Sequence, residues 1–500
     1  MEISVSLANP CLAGGTVRRS VLAALAVTAF ATPLVIAVPG SAHAAPVPPR
    51  KPVVDFNHDG YADLVISGPQ GGGSGDQQAT GYVSVVYGSA SGPDKARAVT
   101  FRPGVGGVPG QGGQTSGFGW SHAAADLDGD TYTDLVVGGL GDRPVVLWGA
   151  EDGLTGAGSV ELPPLTGGQA GDFNGDGHMD LVSGEFPPDD DPNDDESGMT
   201  VSYGPFTRAG KPARLDSIQT GNEYYGPGDF IVGDLTGDGV DDLVTSHGFE
   251  ETAYSSSFWK GGKDGLPHAE TKSIASTDGG TIADVNGDGY GDLVVRDNGT
   301  NNDDNSIEAG TLRIEYGSTA GPDSAHAKKI TQDTPGVPGV SEGDASGTYD
   351  GDQFGYSLSA ADVTGDGIAD IAVGIPGEDI KPGATNIKDA GSVVLLKGAK
   401  GGVTGAGSQA FTQSTDGVPG ASEARDGFGH TVLLRDVDGD KKADLTVGVP
   451  EEDGAYAASG AVWVLRGATG GLTTTGIDSF GPKSIGAPEK GAQFGWWLGR

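Results

Sequence analysis

The sequence predicts an all-β protein, a seven-bladed β-propeller made of four-stranded antiparallel blades. The first observation behind this prediction is a ten-residue aspartate pattern that occurs seven times within residues 55–500. The second is that each copy runs into a short apolar, β-branched stretch, which is typical of a buried strand. The third is the content of 90 glycines and 30 prolines, which disfavours a helical protein.

Residues 1–44 have the layout of an export signal rather than of a folded segment. Arg18 and Arg19 precede an apolar stretch, and the small residues Ala42 and Ala44 end it. We predict cleavage after Ala44, a Pro-rich spacer at residues 45–54, and a secreted, extracellular monomer. The paired arginines leave general and twin-arginine export both open. The single cysteine, Cys11, lies in this leader, so disulfides and zinc–thiolate sites are excluded from the mature chain.

Each repeat begins with the aspartate pattern D-x-[DNT]-x-D-x-x-x-D-[LI], which we place in the turn between the first two strands of a blade. A second alternating run that ends in glycine follows in most repeats, as at residues 82–88 and 393–398, and predicts a further strand. The length of a repeat leaves room for four strands. The seven copies begin at Asp55, Asp126, Asp172, Asp234, Asp284, Asp362 and Asp436.

The two chain ends together predict how the propeller closes. In three repeats a Phe-Gly pair lies eight residues before the aspartate pattern, at Phe118, Phe354 and Phe428. The first repeat has no such pair, whereas Phe494-Gly495 has no aspartate pattern after it. We therefore expect the C-terminal segment to supply the strand that the first blade lacks. An open stack of seven sheets would satisfy the repeat count but would gain nothing from this arrangement.

These motifs carry a family resemblance. The Phe-Gly pairs, the aspartate loops and the Gly-[IV]-Pro segments at residues 374–376 and 448–450 resemble the FG-GAP repeat of integrin α-subunit propellers and of secreted bacterial FG-GAP proteins. The resemblance covers essentially all of residues 55–500, although the repeats at Asp172 and Asp284 lack the Phe-Gly pair. Seven intact aspartate loops make the bacterial proteins the better match. The resemblance implies a propeller that acts as a binding or adhesion scaffold.

The aspartate loop has the donor pattern of a calcium site. Oxygen-bearing side chains stand at positions 1, 3, 5 and 9, and the backbone carbonyl at position 7 completes an all-oxygen set. Such a set favours Ca²⁺ over Mg²⁺ and over transition metals, because the ligands are numerous and flexible and no His or Cys side chain is used. The alternative is that each copy is a solvated Asx turn. The predicted ligands, for up to seven Ca²⁺ ions, are Asp55, Asn57, Asp59, Tyr61, Asp63, Asp126, Asp128, Asp130, Tyr132, Asp134, Asp172, Asn174, Asp176, His178, Asp180, Asp234, Thr236, Asp238, Val240, Asp242, Asp284, Asn286, Asp288, Tyr290, Asp292, Asp362, Thr364, Asp366, Ile368, Asp370, Asp436, Asp438, Asp440, Lys442 and Asp444.

The overall charge also indicates cations in these loops. Lys and Arg number 30 against 68 Asp and Glu, which gives a formal charge of −38, and 23 of the aspartates stand at ligand positions. Carboxylates packed three or four to a loop repel one another unless a cation neutralises them. Thr131 and Lys441 replace glycine at position 6 of the second and seventh loops, so tight binding there stays an open question. The same charge excludes nucleic acid and anionic membranes as partners.

The long, irregular connections between strands predict where a partner binds. In an up-and-down blade they lie on the face opposite the aspartate loops, and binding sites are common on such loops. We therefore expect a protein or glycan ligand on this long-loop face. The alternative is a secreted hydrolase, of glycosidase or esterase type, with its site in the central channel or on the same face. The connections that define the face are residues 185–197, 297–308, 336–353, 378–390 and 451–459.

Overall fold

The computed structural model divides the chain into two compact units, Met1–His43 and Ala44–Arg500. It describes residues of the second unit only, namely 54–72, 80–110, 117–139, 143–163, 166–184, 198–220, 227–249, 252–297, 309–343, 351–381 and 385–499. The predicted leader at residues 1–44 and the spacer up to residue 53 lie outside the described residues.

The described chain forms seven antiparallel sheets, one for each aspartate loop, and these are the predicted blades. Strands that are consecutive in the chain are neighbours within each blade, and a small hairpin of β14 and β15 extends the fourth. The first blade contains β1 (Leu64–Ser67), β2 (Val83–Tyr87) and β3 (Asp94–Phe101); the second β4 (Ser121–Ala125), β5 (Asp134–Gly138), β6 (Val145–Leu147) and β7 (Val160–Glu161); the third β8 (Thr166–Gly171), β9 (Asp180–Gly184), β10 (Gly198–Tyr203) and β11 (Arg214–Gln219); the fourth β12 (Asp229–Gly233), β13 (Asp242–Ser246), β14 (Gly248–Phe249), β15 (Thr252–Ala253), β16 (Ser256–Trp259) and β17 (Lys272–Ile274); the fifth β18 (Thr277–Ala283), β19 (Asp292–Asp297), β20 (Leu312–Glu315) and β21 (Lys328–Ile330); the sixth β22 (Ser357–Ala361), β23 (Asp370–Ile375), β24 (Ser392–Leu396) and β25 (Gln409–Phe411); and the seventh β26 (Thr431–Arg435), β27 (Asp444–Val449), β28 (Ala461–Ala468) and β29 (Gly471–Phe480).

The burial of each strand follows from its place in the blade. The first strands β4, β8, β12, β18, β22 and β26 contact one another in series, so they line the centre of the propeller. The second strand of a blade is covered on both faces by neighbouring blades, and all five residues of β5 are buried. The sequence of this strand is therefore a continuous apolar run rather than an alternation of apolar and polar residues. The outermost strand β11 faces solvent and is mostly exposed.

The C-terminal segment closes the propeller as predicted. Leu498 forms an antiparallel bridge with Ile66 of β1, and the amide of Gly499 donates a 2.9 Å hydrogen bond to the carbonyl of Val65. Phe494 is fully buried in a cluster that contains Leu64 of the first blade together with residues of the seventh. The segment is the missing first strand of the first blade. An open stack would not pair the two chain ends.

The Phe-Gly pairs join neighbouring blades. The phenylalanines at 118, 428 and 494 each form a parallel bridge with a glycine of the preceding blade, as between Phe118 and Gly81. The following glycine is required by the close approach, because a Cβ on Gly119 would lie 2.9 Å from the carbonyl oxygen of Tyr82. Gly119 also has a φ of 99°, a conformation that favours glycine. The pair therefore sets the spacing between two blades.

Helical structure is minimal in the described ranges. It consists of two short 3₁₀ segments, Ser324–His326 and Pro482–Ile485, so the all-β prediction is confirmed. A helix long and apolar enough to cross a membrane is not found among these residues.

Candidate metal centres

The seven aspartate loops lie on one face of the propeller. In six blades the loop connects the first strand to the second, as from Ala125 at the end of β4 to Asp134 at the start of β5. In the first blade the loop at residues 55–63 precedes β1, since the C-terminal segment is the first strand there. The structure therefore brings the predicted ligands of each repeat together within one turn.

The aspartate at position 9 is a buried clamp that links the loop to its blade. Asp134 is fully buried. Its Oδ2 accepts a 2.9 Å hydrogen bond from the amide of Leu127. Its Oδ1 accepts a 2.8 Å hydrogen bond from the amide of Gly149, which follows the third strand. Gly149 must be glycine because a Cβ there would lie 2.3 Å from the carbonyl oxygen of Thr133. The same pair of bonds recurs in every loop, at Asp63, Asp134, Asp180, Asp242, Asp292, Asp370 and Asp444.

Burial has a large effect on these position-9 carboxyls. It raises their pKa to about 7 in the first five loops and to about 6 in the sixth and seventh. The two backbone amides and any nearby cation oppose this shift, since both favour the charged form. Position 9 thus has a structural function in addition to its predicted role as a ligand, a function that the aspartate pattern alone does not reveal.

The remaining side chains of each loop bind the backbone of the loop itself. In the second loop Oδ1 of Asp126 accepts the amides of Gly129 and Asp130 at 2.8 and 3.1 Å. Asp128 accepts the amide of Asp130, and Asp130 accepts the amide of Tyr132, which stands at position 7. These are the Asx-turn bonds of the alternative interpretation. They shape the loop and leave lone pairs on the same oxygens, so an Asx turn and a cation site are compatible here.

The position-7 residues pack against the preceding loop. Val240 of the fourth loop lies over Gly175 of the third, where a Cβ would be 2.8 Å from its side chain. Tyr61 of the first loop lies in the same way over Gly439 of the seventh, so the contact continues around the whole propeller. Their chemistry varies widely, as expected if only the backbone carbonyl binds a cation. The seven are Tyr61, Tyr132, His178, Val240, Tyr290, Ile368 and Lys442.

Hydrogen bonds also connect successive loops. The amide at position 8 of one loop donates to the carbonyl at position 1 of the loop before it, as from Asp241 to Asp172 at 2.9 Å. The bond from Ala62 to Asp436, at 3.1 Å, makes the same connection between the first and seventh loops. Bonds of this kind join six of the seven neighbouring pairs, all except the second and third loops, so the loops form a nearly continuous belt rather than seven separate turns. This belt could not be predicted from the aspartate pattern, because it depends on which blades are neighbours.

The second and seventh loops differ from the others in charge. Both carry aspartate at position 3, and their three carboxylates approach within 4.8 Å of one another. Arg208 forms ion pairs with Asp128 and Asp130 of the second loop and lies 5.1 Å from the ring of Trp148. Arg466 pairs with Asp438 and Asp444 of the seventh loop, at 3.5 and 3.1 Å.

Three loops fit a bound divalent cation best. The fourth loop has Lys260 at 2.8 Å from Asp238, and the first has Arg97 at 3.9 Å from Asp59. Among the described residues, the aspartates of the third, fifth and sixth loops form no ion pair with Lys or Arg. Their donor sets consist of oxygen alone, which is the ligand type that Ca²⁺ prefers. In the second and seventh loops an arginine already supplies positive charge.

Family models match most of these loops. The FG-GAP repeat model matches residues 52–86, 354–396 and 428–465, and the FG-GAP-like repeat model matches residues 126–183. The matched segments contain five of the seven aspartate loops, and residues 234–242 and 284–292 form the same loop without a match. Mouse (Mus musculus) integrin alpha-IIb is 33% identical over 101 residues, which are 20% of this chain and 9% of that protein. The protein is a β-propeller that contains FG-GAP repeats.

Other similarities of this FG-GAP propeller are to an enzyme and to a solved structure. The phosphatidylinositol-glycan-specific phospholipase D of Bos taurus is 29% identical over 182 residues, which are 36% of this chain and 19% of that enzyme. The chain thus spans less than a fifth of the length of the curated relatives it matches. A crystal structure of an AofleA mutant from Arthrobotrys oligospora is 10% identical and covers 73% of this chain and 87% of its own, with a TM-score of 0.35. A similarity this weak says nothing about function.

The long-loop face is only partly described. Residues 185–197 and 298–308, together with 344–350 and 382–384, lie outside the described residues. The described parts leave the blades at the strand ends opposite the aspartate loops, and a bridge between Ile380 and Ile387 orders the connection between β23 and β24. The FG-GAP propeller therefore has its predicted cation sites on one face and the described parts of its long connections on the other. The similarity to an integrin subunit supports a role in binding.

Proposed function

We propose that this FG-GAP propeller is a secreted, calcium-stabilised scaffold for binding or adhesion, with a protein or glycan ligand on the long-loop face. One observation carries the proposal: the same loop of oxygen donors recurs seven times on one face of a closed ring. Calcium in these loops would neutralise clustered carboxylates and hold each turn in the geometry that its hydrogen bonds already define. The stiffened scaffold would then present the long connections to a ligand.

Secretion is supported by the sequence of residues 1–44 and by cysteine usage. The mature chain would have no thiol, since Cys11 is the single cysteine. A calcium-dependent fold also suits an extracellular location, because weak sites of this kind fill only where free calcium is high.

The test uses the mature chain, residues 45–500, expressed with its leader so that export and cleavage can be verified by N-terminal sequencing. Elemental analysis after dialysis against trace calcium is expected to find several Ca²⁺ per chain. An array of glycans and extracellular-matrix proteins, probed with and without EDTA, is expected to reveal a ligand whose binding needs calcium. A calcium-free protein that binds nothing on the array in either condition would contradict the proposal.

The second candidate function is a secreted hydrolase. The observation that favours it is the similarity to phosphatidylinositol-glycan-specific phospholipase D, a protein of which this chain covers 19%. The same preparation should therefore be incubated with glycosidase, esterase and phospholipid substrates. Turnover that persists in independent preparations would favour the hydrolase, whereas binding without turnover favours the scaffold.

A further inference from the structure

An arc of aromatic side chains lies at the mouth of the central channel on the long-loop face. The residue after each Phe-Gly pair is aromatic in all four blades that have the pair: Trp120, Tyr356, His430 and Trp496. These residues stand just before the first strands, which line the channel, at the ends opposite the aspartate loops. They belong to the sixth, seventh, first and second blades, which are consecutive around the ring. We call these four side chains the aromatic arc.

The four rings of the aromatic arc contact one another in series. The ring centroids are 5.1 Å apart between Tyr356 and His430, 4.7 Å between His430 and Trp496, and 5.7 Å between Trp496 and Trp120. Burial lowers the pKa of His430 to about 4, so its ring is neutral at physiological pH. Tyr356 is 41% exposed, and Trp497, which follows Trp496 in the chain, is 37% exposed. Large apolar faces therefore meet solvent at a concave site.

Glycines line a cavity at the channel mouth on the side of the third and fourth blades. They are Gly167 and Gly168 of the third blade and Gly228 of the fourth, and the cavity, of about 280 Å³, lies between them and the aromatic side. Its other lining residues include Trp120, Trp497, Phe230, His122, Gln169 and Asp229. The volume is near the lower end for small-ligand sites. The cavity thus has indoles on one side, and glycine backbone together with Phe230 and polar side chains on the other.

The residues that line the cavity indicate which class of ligand it binds. The described residues that line the cavity include no Lys or Arg, and the chain has a formal charge of −38, so an anionic ligand would be repelled. A cation would be attracted by Asp229 and the indoles, but it can only donate hydrogen bonds. Gln169, Ser121 and the exposed glycine backbone offer donors as well as acceptors. The hydroxyl groups of a ligand can use both the donors and the acceptors of the cavity, since each hydroxyl donates and accepts hydrogen bonds.

We propose that the channel mouth binds a neutral carbohydrate, of one or two sugar units, with a sugar face stacked on Trp120 or Trp497 and its hydroxyls bonded to Gln169 and Asp229. This inference rests on the proposed function, because it assigns a place and a ligand class to binding on the long-loop face. Sugars combine apolar C–H faces with a rim of hydroxyls, which matches an aromatic wall beside mixed polar groups.

The test measures binding of free sugars to the mature, calcium-loaded chain. The probes are methyl glycosides of neutral hexoses, 6-deoxyhexoses and N-acetylhexosamines, with a sialoside and tetramethylammonium chloride as the anionic and cationic probes. Tryptophan fluorescence and saturation-transfer NMR report binding. At least one neutral glycoside is expected to bind, and Trp497→Ala is expected to weaken it by about tenfold or more.

Two further variants keep the result interpretable. Leu215→Ala removes a side chain that is 59% exposed on β11, the outermost strand of the third blade, and it is expected to leave sugar affinity unchanged. Gln169→Ala removes a hydrogen-bonding group from the cavity without touching the indoles, and we expect it to weaken binding too. Thermal melts verify that each variant is folded.

Three outcomes would overturn the inference. Binding of only the cation or only the sialoside would contradict the neutral-ligand assignment. A sugar that binds equally well to Trp497→Ala, Gln169→Ala and wild type would place its site elsewhere and leave the proposed scaffold function intact. Absence of any sugar binding by a chain that still binds a protein from the array would have the same meaning. The scaffold proposal itself is tested separately, by the calcium content of the protein and by binding to the array.

Discussion

The aspartates of one loop have different tasks at the scale of single residues. In the sixth loop Asp370 is 1% exposed and accepts the amides of Val363 and Gly398 at 3.1 and 3.0 Å. Asp366 lies at the exposed tip and accepts only the amide of Ile368 in the same loop. The first is part of the blade, and the second is available to a cation. Substituting each one separates structure from metal binding.

We predict that Asp370→Ala destabilises the protein with or without calcium, whereas Asp366→Ala does so only when calcium is present. The first substitution leaves two buried amides without an acceptor, which costs about 2–6 kcal/mol. The second removes a ligand, so its melting temperature in EDTA should equal that of wild type. Thermal melts of both variants in calcium and in EDTA test this pair. Equal behaviour of the two variants in EDTA would refute the distinction.

A second residue-scale prediction concerns Glu452, which lies away from the loops. Burial raises its pKa to about 7, with Asp426, Glu423 and Asp453 adding to the shift and a 2.7 Å bond from Gln413 opposing it. Because the folded pKa lies above the unfolded one, stability is lost as the pH rises from about 4.5 to about 7. Glu452→Gln should therefore raise the melting temperature at pH 8 and change it little at pH 4.

The measurement for Glu452 is a series of melts in EDTA between pH 4 and pH 8, so that calcium does not contribute. Glu451→Gln is the matched control, since Glu451 is an exposed neighbour. A gain in stability that is the same at both ends of the pH range would contradict the argument from burial.

The C-terminal strand is the element that converts seven sheets into a closed ring. It buries Phe494 and Leu498 against the first and seventh blades and satisfies the edge of β1. An uncovered edge strand can also pair with a strand of another chain, which promotes association. These contacts depend on seven residues at the end of the chain.

Deletion of residues 494–500 is predicted to cost about 5 kcal/mol or more, by loss of buried Phe and Leu side chains. The truncated chain should melt at a lower temperature and tend to associate, as measured by calorimetry and light scattering. Trp497→Ala is the control within the same strand, because the exposed side chain contributes little to the core. A truncated protein that melts with wild type would show that the ring does not depend on this strand.

Arg208 is the other element-scale feature, because it reaches from the third blade into the loop of the second. We predict that Arg208→Gln increases the number of bound Ca²⁺ ions by about one. Without the guanidinium, four carboxylates face one another and demand a cation. In EDTA the variant should be less stable than wild type, and calcium should reverse the difference.

Native mass spectrometry and calorimetric titration measure the calcium number. Arg214→Gln is the matched control, since Arg214 lies over Tyr203 in the same blade and does not contact an aspartate loop. Calcium content that is the same in Arg208→Gln and wild type would mean that the arginine does not substitute for the ion.

The belt of backbone hydrogen bonds between the aspartate loops couples these loops across the whole molecule. Six of the seven loops donate from position 8 to position 1 of the loop before them, and the series includes the contact between the chain ends. A cation that orders one loop therefore orders part of the next. Binding to successive loops should be positively cooperative, since the second ion meets a loop that is already fixed.

We predict that chelation lowers the melting temperature by many degrees and that calcium restores it cooperatively. At free calcium of about ten times Kd, each site contributes about 1.4 kcal/mol, so the three loops without an ion pair would by themselves contribute about 4 kcal/mol. Melts and calorimetric titrations from EDTA into calcium test both parts. Mg²⁺ at the same concentration is the control and should restore little. An unchanged melt in EDTA would refute the calcium assignment, and a simple independent-site isotherm would refute the coupling.

The sequence by itself determined the repeat number, the strand that follows each aspartate loop, and the strand exchange at the chain ends. These features are encoded in short segments, where turn chemistry and apolar runs suffice to recognise a hairpin. The candidate loops were also found at their correct positions, because their donors lie within nine residues of one another. The calcium ions themselves stay a prediction.

Only the tertiary structure decided how these repeats act on one another. Arg208 and Asp130 are 78 residues apart in the chain and meet because two blades are neighbours. The clamp at Asp134 depends on Gly149, which follows the third strand of the same blade, and the aromatic arc depends on which four blades are consecutive. The contacts between blades arise from their packing and from the closure of the ring, and a local pattern contains no information about which blades become neighbours. The charge balance of each loop and the shape of the channel mouth follow from that closure.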